Sequence, residues 1–185
     1  KEGLALNNGA TFSAAMMAYA VYEAKYLLSV ANKATSLTLE ALQGCPDAFD
    51  QRIHQARGLQ GQIDAASEIS DNFSGSEFVG STKRVQDAYS LRCAPQIHGG
   101  VLDTLKFVES IVKTEINAAT DNPLIFDPAI ALSGGNFHGE PIALVADYLA
   151  IALTELAAIS ERRIYRMTDG NINDGLPTML VGSNG

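Results

Sequence analysis

Cysteine, histidine and clustered basic charge are all scarce in this 185-residue chain, and each scarcity excludes a class of function. The two cysteines, Cys45 and Cys93, make no CxxC pair. With only His54, His98 and His138 beside them they offer neither a disulfide framework nor a zinc-ligand pattern, so no metal is expected. Both thiols are read as small buried hydrophobes. No run of Lys and Arg exceeds two residues and the formal net charge is -8, so no nucleic-acid partner is expected. The start, Lys1-Glu2-Gly3-Leu4, lacks an initiator methionine and the apolar core of a signal peptide. A cytoplasmic piece of a longer protein is the expectation. The most apolar window, Pro141 to Ile159, carries Asp147 and Glu155, and is read as a soluble core helix with no membrane role. Strand-like alternation, fixed-period repeats and low-complexity tracts are nearly or wholly absent.

What is present is helical periodicity. With 46% hydrophobic residues the chain can bury a core, and one helical region over 1–185 is expected. Ala14, Met17, Val21, Ala24 and Leu28 recur at three and four, which predicts a long helix from Ser13 to about Lys33. A shorter helix is expected from Leu37 to Gln43, capped by Ser36 and ended by Gly44. Two more, Gln51 to Arg57 and Leu59 to Asn72, divide at Gly58. Pro95 can open a long helix to about Ala119, which Thr120-Asp121-Asn122-Pro123 terminates. Leu124-Ile125-Phe126 reads as extended, and Ile142 to Arg166 as the last long helix. The expected fold is an all-α, elongated antiparallel helical bundle.

Three loops hold most of the chemistry: Asn7-Asn8-Gly9, Gln86 to Arg92, and Ser133 to Gly139. Each precedes a long helix, whose free N–H groups and positive dipole end favour an anionic ligand. Gln86-Asp87-Ala88-Tyr89-Ser90-Leu91-Arg92 places an amide, a phenol, a hydroxyl and a guanidinium within seven residues, with Leu91 the single large aliphatic. A phenol can move a proton and a guanidinium can grip a carboxylate through two parallel hydrogen bonds. The same residues also allow a structural reading, with Tyr89 a core tyrosine and Arg92 paired to Asp87 or to a helix C-terminus. Taken singly, Asn8-Gly9 is a common turn and His138 a common structural hydrogen-bonder.

Together these blocks resemble a known family. Lys1-Glu2-Gly3-Leu4-Ala5-Leu6, Asn8-Gly9, Gln86 to Arg92, Thr120 to Phe126, Gly135-Asn136-Phe137-His138-Gly139-Glu140-Pro141 and Ile159-Ser160-Glu161-Arg162-Arg163 follow, in order and spacing, the aromatic amino acid ammonia-lyases. The sub-group acting on histidine is nearest, and the Ser90 and Cys93 context leans the same way. The resemblance implies a helical fold of the fumarase and aspartase type, a homotetramer, and a small amino-acid substrate. The implied reaction is non-oxidative loss of ammonia, L-histidine giving urocanate. It also implies the electrophile 4-methylidene-imidazol-5-one (MIO), formed from an Ala-Ser-Gly that this chain does not contain. The family's principal base, a tyrosine on an upstream loop, and an acidic pocket residue further on are likewise outside these residues, so the chain alone is expected to be inactive. By matching positions, Tyr89 would assist proton transfer or electrophile function, Phe137 would pack beside electrophile and substrate ring, Arg92 would bind the carboxylate, Asn8 would contact the electrophile or that carboxylate, and Gln86 would line the same polar pocket. Asn7 and Ala10 depart from the family pattern, where an aliphatic residue and Thr or Ser are usual. Elimination from phenylalanine or tyrosine, 2,3-aminomutation, and a non-catalytic helical assembly module are the alternatives.

Overall fold

The computed structural model describes residues 2–182, so Lys1 of the first motif block lies outside the described residues. Helix dominates. In chain order the elements are α1 (Glu2–Asn7), α2 (Thr11–Ala41), a 3-10 turn (Pro46–Phe49), α3 (Gln51–Arg57), α4 (Gln60–Phe73), α5 (Tyr89–Arg92) and α6 (Ala94–Glu115). The hairpin strands β1 (Leu124–Asp127) and β2 (Ile130–Leu132), α7 (Glu140–Thr168) and a last 3-10 turn (Thr178–Leu180) complete them. The extended run at Leu124 is therefore half of an antiparallel pair, with Leu124 opposite Leu132 and Ile125 opposite Ala131.

The break expected between Lys33 and Leu37 does not occur, because α2 runs unbroken for 31 residues. Ser36 does not cap a new helix. Its hydroxyl donates back to the Asn32 carbonyl at 3.1 Å and to the Ile69 carbonyl at 3.1 Å, while Thr35 and Thr38 donate to the carbonyls four residues earlier. Hydroxyls used in this way leave the helical ladder intact. The end of α2 does fall where Gly44 predicts. Gly44 N–H reaches the Leu39 carbonyl at 2.8 Å and Gln43 N–H the Glu40 carbonyl at 3.2 Å, the paired bonds of a Schellman motif, with Gln43 left-handed at φ 53°. A Cβ on Gly44 would stand 2.4 Å from the Leu39 side chain, so glycine is required there.

The chain divides into two compact units, Lys1–Lys25 with Thr104–Ile151 and Tyr26–Asp103 with Ala152–Gly185. In the first, Ala14, Met17, Val21 and Ala24 of α2, Leu105, Val108 and Val112 of α6, and Ile142, Val145 and Leu149 of α7 are buried. Each set recurs at three and four residues, the one-sided pattern of packed helices. In the second, Leu39, Leu42, Phe49, Ile69, Leu91, Ala94 and Ile159 form one apolar cluster, and Phe49 meets Phe73 edge-on with centroids 5.5 Å apart. Helix α7 is long and apolar enough to cross a bilayer by length and composition. Burial of Ile142, Val145, Leu149, Ala152, Leu156 and Ile159 at alternating three- and four-residue steps marks it as a packing helix.

Candidate functional site

The predicted site residues fall into two groups, one in each unit. In the first unit Asn8 and Gly9 form the turn between α1 and α2. Asn8 N–H closes α1 on the Leu4 carbonyl at 2.8 Å, and Gly9 takes φ 102°, a conformation that strains any side chain. A Cβ there would also meet the Thr120 carbonyl oxygen at 3.3 Å and the Phe137 carbonyl oxygen at 4.0 Å. The Asn8 turn, the Thr120 turn and the Phe137 loop are thus in direct apposition. Gly9, Ala10, Ser13, Phe137, His138 and Gly139 line a cleft of about 380 Å³. It opens beside the start of α2, whose first-turn N–H groups have no intrahelical acceptor, and beside the start of α7, where Glu140 N–H donates to His138 Nδ1 at 3.2 Å and the Ile142 and Ala143 N–H groups to the Gly139 carbonyl at 3.0 Å. Asn8 borders a second cleft of about 440 Å³ with Glu2, Leu4, Asp121, Asn122, Pro123 and Ile125. Asn122 follows the turn chemistry expected of it and adds an anchor, its Oδ1 accepting from Ser133 Oγ at 3.0 Å and Gly134 N–H at 2.7 Å.

In the second unit Gln86, Tyr89 and Arg92 form one cluster. The stretch is not a plain loop: Tyr89–Arg92 is a single helical turn, because fully buried Leu91 inserts into the apolar cluster and leaves its neighbours outward. Tyr89 is 71% exposed. Arg92 Nη1 donates to Gln86 Oε1 at 2.7 Å, and the guanidinium lies over the Tyr89 ring, 4.7 Å from its centroid. Arg92 Nε is buried without a partner. Among the described residues no carboxylate pairs with Arg92. The pairing with Asp87 allowed by sequence is replaced by another: Asp87, 3% exposed, takes Arg84 Nε at 3.2 Å, Arg84 Nη2 at 3.0 Å and Cys45 N–H at 2.6 Å. Arg92 thus has no acidic partner among the described residues, with Nη1 given to Gln86 and Nε buried.

The same unit holds a buried polar group. Asn32 Nδ2 donates to Glu68 Oε2 at 2.7 Å, which turns Asn32 Oδ1 toward His98 Nδ1 at 2.6 Å. His98 is thereby fixed with its proton on Nδ1, and its Nε2 has no partner. Burial, reinforced by the positive charge of Arg163, lowers the His98 pKa to about 3. Arg163 is itself 2% exposed, donates to Ser160 Oγ at 2.9 Å and to the Ser90 carbonyl at 3.5 Å, and is pushed down to about 10 by burial. Cys45 is buried, donates its thiol to the Arg84 carbonyl at 3.4 Å, and has a raised pKa from burial and then from Asp87. Its expected role as an inert buried thiol agrees with that environment.

His98 gives folding a pH dependence. The unfolded chain takes up a proton near pH 6.5 and the folded chain only near 3, so stability is full above about 6.5 and falls as the pH drops toward 3. The slope is about 1.4 kcal/mol per pH unit for one such group. Urea titrations of the full-length protein at pH 7.5, 6 and 5 should show that loss, and His98→Gln should flatten it. An equal slope in both proteins between pH 6.5 and 5 would assign it elsewhere.

Sequence reasoning missed Arg84, Arg163 and Asp174 as supports of the site. Arg84 stands three residues before Asp87, a spacing that signals a local ion pair. Nothing in the sequence links Asp87 to Cys45 or Arg163 to Ser90.

A profile described as aromatic amino acid lyase matches residues 1–185. The histidine ammonia-lyase of Caldanaerobacter subterraneus subsp. tengcongensis is 50% identical over 188 residues, covering 100% of this chain and 37% of that protein. Among solved structures, the tyrosine aminomutase of Streptomyces globisporus superposes with a TM-score of 0.92 at 35% identity, over 100% of this chain and 39% of that one. The histidine ammonia-lyase of Trypanosoma cruzi gives 0.87 at 40% identity, over 100% of this chain and 34% of that one. The chain thus spans little more than a third of the length of these relatives.

Proposed function

Because this chain belongs to the aromatic amino acid lyase family, we propose that it is the central segment of an enzyme that eliminates ammonia from L-histidine to give urocanate. The observation that carries the reading is the Gln86–Tyr89–Arg92 cluster: a guanidinium with no acidic partner, beside an exposed phenol, fits an amino acid's carboxylate and a proton in transit. Half-identical relatives named histidine ammonia-lyase support the substrate.

In this reading Arg92 binds the substrate carboxylate and Gln86 holds one edge of the guanidinium, which orients the fork. In the overall reaction the Cβ–H pair becomes the new C=C bond, the Cα–N pair leaves with ammonia, and Tyr89 assists the proton transfer. In the other unit, Asn8 and Phe137 take the roles that the family resemblance implies, Asn8 toward the electrophile or a substrate carboxylate and Phe137 toward a substrate ring. The family's MIO group supplies the electrophile that makes a weakly acidic β-proton removable. The cleft at Gly9 and Phe137 fits its surroundings: the backbone approaches closely at a glycine, and the start of α2 offers N–H donors to an electron-rich oxygen. Asn8 and Phe137 would stand beside it.

A homo-oligomer is consistent with the exposed apolar faces, Phe12, Met16, Tyr19 and Tyr26 on α2 and Leu144 and Ile151 on α7, which another copy or the rest of the protein would cover. The full-length protein, its mass in solution measured by light scattering, should raise the absorbance of a conjugated acid with histidine and not with phenylalanine or tyrosine. Tyr89→Phe should lower kcat by about 100-fold or more. Turnover of tyrosine or phenylalanine alone would move the substrate assignment, and recovery of a β-amino acid would favour aminomutation, the activity named for the structurally similar tyrosine aminomutase. No turnover of any of the three would leave the helical assembly reading.

A further inference from the structure

The four-residue helix α5 carries Tyr89 and Arg92, yet nothing within it sets its direction. One turn of helix is not self-supporting, and Ala88 at its N-cap offers no side-chain hydrogen bond. Its C-terminal end runs into α6 through Cys93, whose N–H bonds the Tyr89 carbonyl at 3.0 Å, so its N-terminal end and its depth are left to tertiary anchors. Leu91 sets its depth in the apolar cluster, and on the N-terminal side the anchor is Asp87, one residue beyond Gln86 and two before Tyr89.

Asp87 is held by a guanidinium that divides its donors between Asp87 and two further anchors. Arg84 gives Nε and Nη2 to Asp87 Oδ1. The same Nη2 reaches the Leu42 carbonyl at 2.7 Å, one of the carbonyls left open where α2 ends. Asp87 Oδ2 accepts Cys45 N–H, just past that end, and lies 3.1 Å from where a Gly44 Cβ would stand. The segment before Tyr89 is therefore stapled to the terminus of a 31-residue helix.

The last Arg84 donor, Nη1, points elsewhere. It meets Asp174 at 2.8 Å, and the same Asp174 oxygen is 3.4 Å from Arg166 Nη2 on α7. Asp174 holds a left-handed backbone, φ 59°, with Gly175 at 93° after it. Aspartate enters this region more readily than most side chains, and the surroundings fix it there. The preceding Asn173 is fully buried and donates to the Met167 carbonyl at 3.0 Å. The turn after α7 thus delivers a carboxylate to Arg84, and the set Arg84, Arg166, Asp87 and Asp174 balances its charges.

We propose that Arg84 and Asp174 are positioning residues for the carboxylate anchor, holding Asp87 so that the turn bearing Tyr89 and Arg92 presents its fork to the substrate. The proposal rests on the reading of Arg92 as that anchor. Arg84 and Asp174 touch no reacting atom; they act through Asp87.

Asp174 provides the mild probe, because it is the more exposed carboxylate of the pair, 30% against 1% for Asp87. In the full-length enzyme Asp174→Asn is expected to raise the KM for the amino-acid substrate about tenfold, with kcat changed less than threefold and Tm lowered by only a few degrees. Arg84→Lys, which keeps one charge and loses the fork, should show the same split more strongly. Introduced into an Arg92→Met background, Asp174→Asn should have almost no further effect on KM, since the group it positions is gone. Full additivity of the two changes, or an unchanged KM in Asp174→Asn while Arg92→Met is impaired, would overturn the positioning role alone. An unchanged KM in Arg92→Met would instead overturn the anchor reading on which it rests.

Discussion

Replacing Arg92 by methionine in the full-length enzyme is expected to lower kcat/KM by about 100- to 10,000-fold, most of it through KM. The magnitude follows from what is lost: two charge-assisted hydrogen bonds to a carboxylate, each worth about 1.5–3 kcal/mol, with every 1.4 kcal/mol a factor of ten. Stability should hardly change. Arg92 makes one hydrogen bond, to Gln86, and a ring contact with Tyr89, and no carboxylate depends on it for neutralisation. Arg92→Lys should recover about one power of ten, because the charge returns without the fork. Steady-state kinetics beside a thermal melt separate the two effects. A variant that melted early and bound substrate normally would reassign Arg92 to the fold.

Gly99→Ala should do the reverse, unfolding the protein with no direct bearing on chemistry. Alanine normally improves a helix by about 1 kcal/mol over glycine. Here the added Cβ would sit 2.4 Å from the Cα and N of Gln62 on α4, and a Cβ on Gly61 would sit 2.3 Å from the Gly99 carbonyl oxygen. These are backbone atoms and no rotamer can relieve them, so α4 and α6 would have to separate where Gln62 and His98 are buried. A net loss of roughly 3 kcal/mol or more is expected, at the upper end for overpacking. Gly100→Ala is the internal control. Nothing lies within 4 Å of its Cβ position, and it should stabilise by about 0.5–1 kcal/mol. Urea unfolding of the pair tests the close approach directly: equal effects at the two adjacent glycines would refute it.

The polar supports explain why the site was only partly legible beforehand. The chemistry of Gln86, Tyr89 and Arg92 could be named from residue types at short spacing, and the structure gathers these three in one cluster. Asp87 sits in the same stretch, and sequence allowed it to neutralise Arg92. Choosing between Arg84 and Arg92 required knowing that the end of α2 lies against Asp87, which no local pattern states. Ser36 failed as a helix start for a related reason. Its hydroxyl had a second acceptor, the Ile69 carbonyl, 33 residues away.

By itself the sequence determined the helical class, the sites of the long helices, the stop at Gly44, the turn at Asn122-Pro123, and the family through its ordered blocks. These depend on periodicity, turn chemistry and residue identity, all readable within a few residues. Tertiary structure alone decided that α2 continues through Ser36, that Leu91 points inward so Tyr89 and Arg92 point out, and that Arg84 rather than Arg92 neutralises Asp87. It also decided which glycines are indispensable. Those outcomes turn on which distant groups compete for one carbonyl, one carboxylate or one cubic ångström, and only the packed chain brings the competitors together.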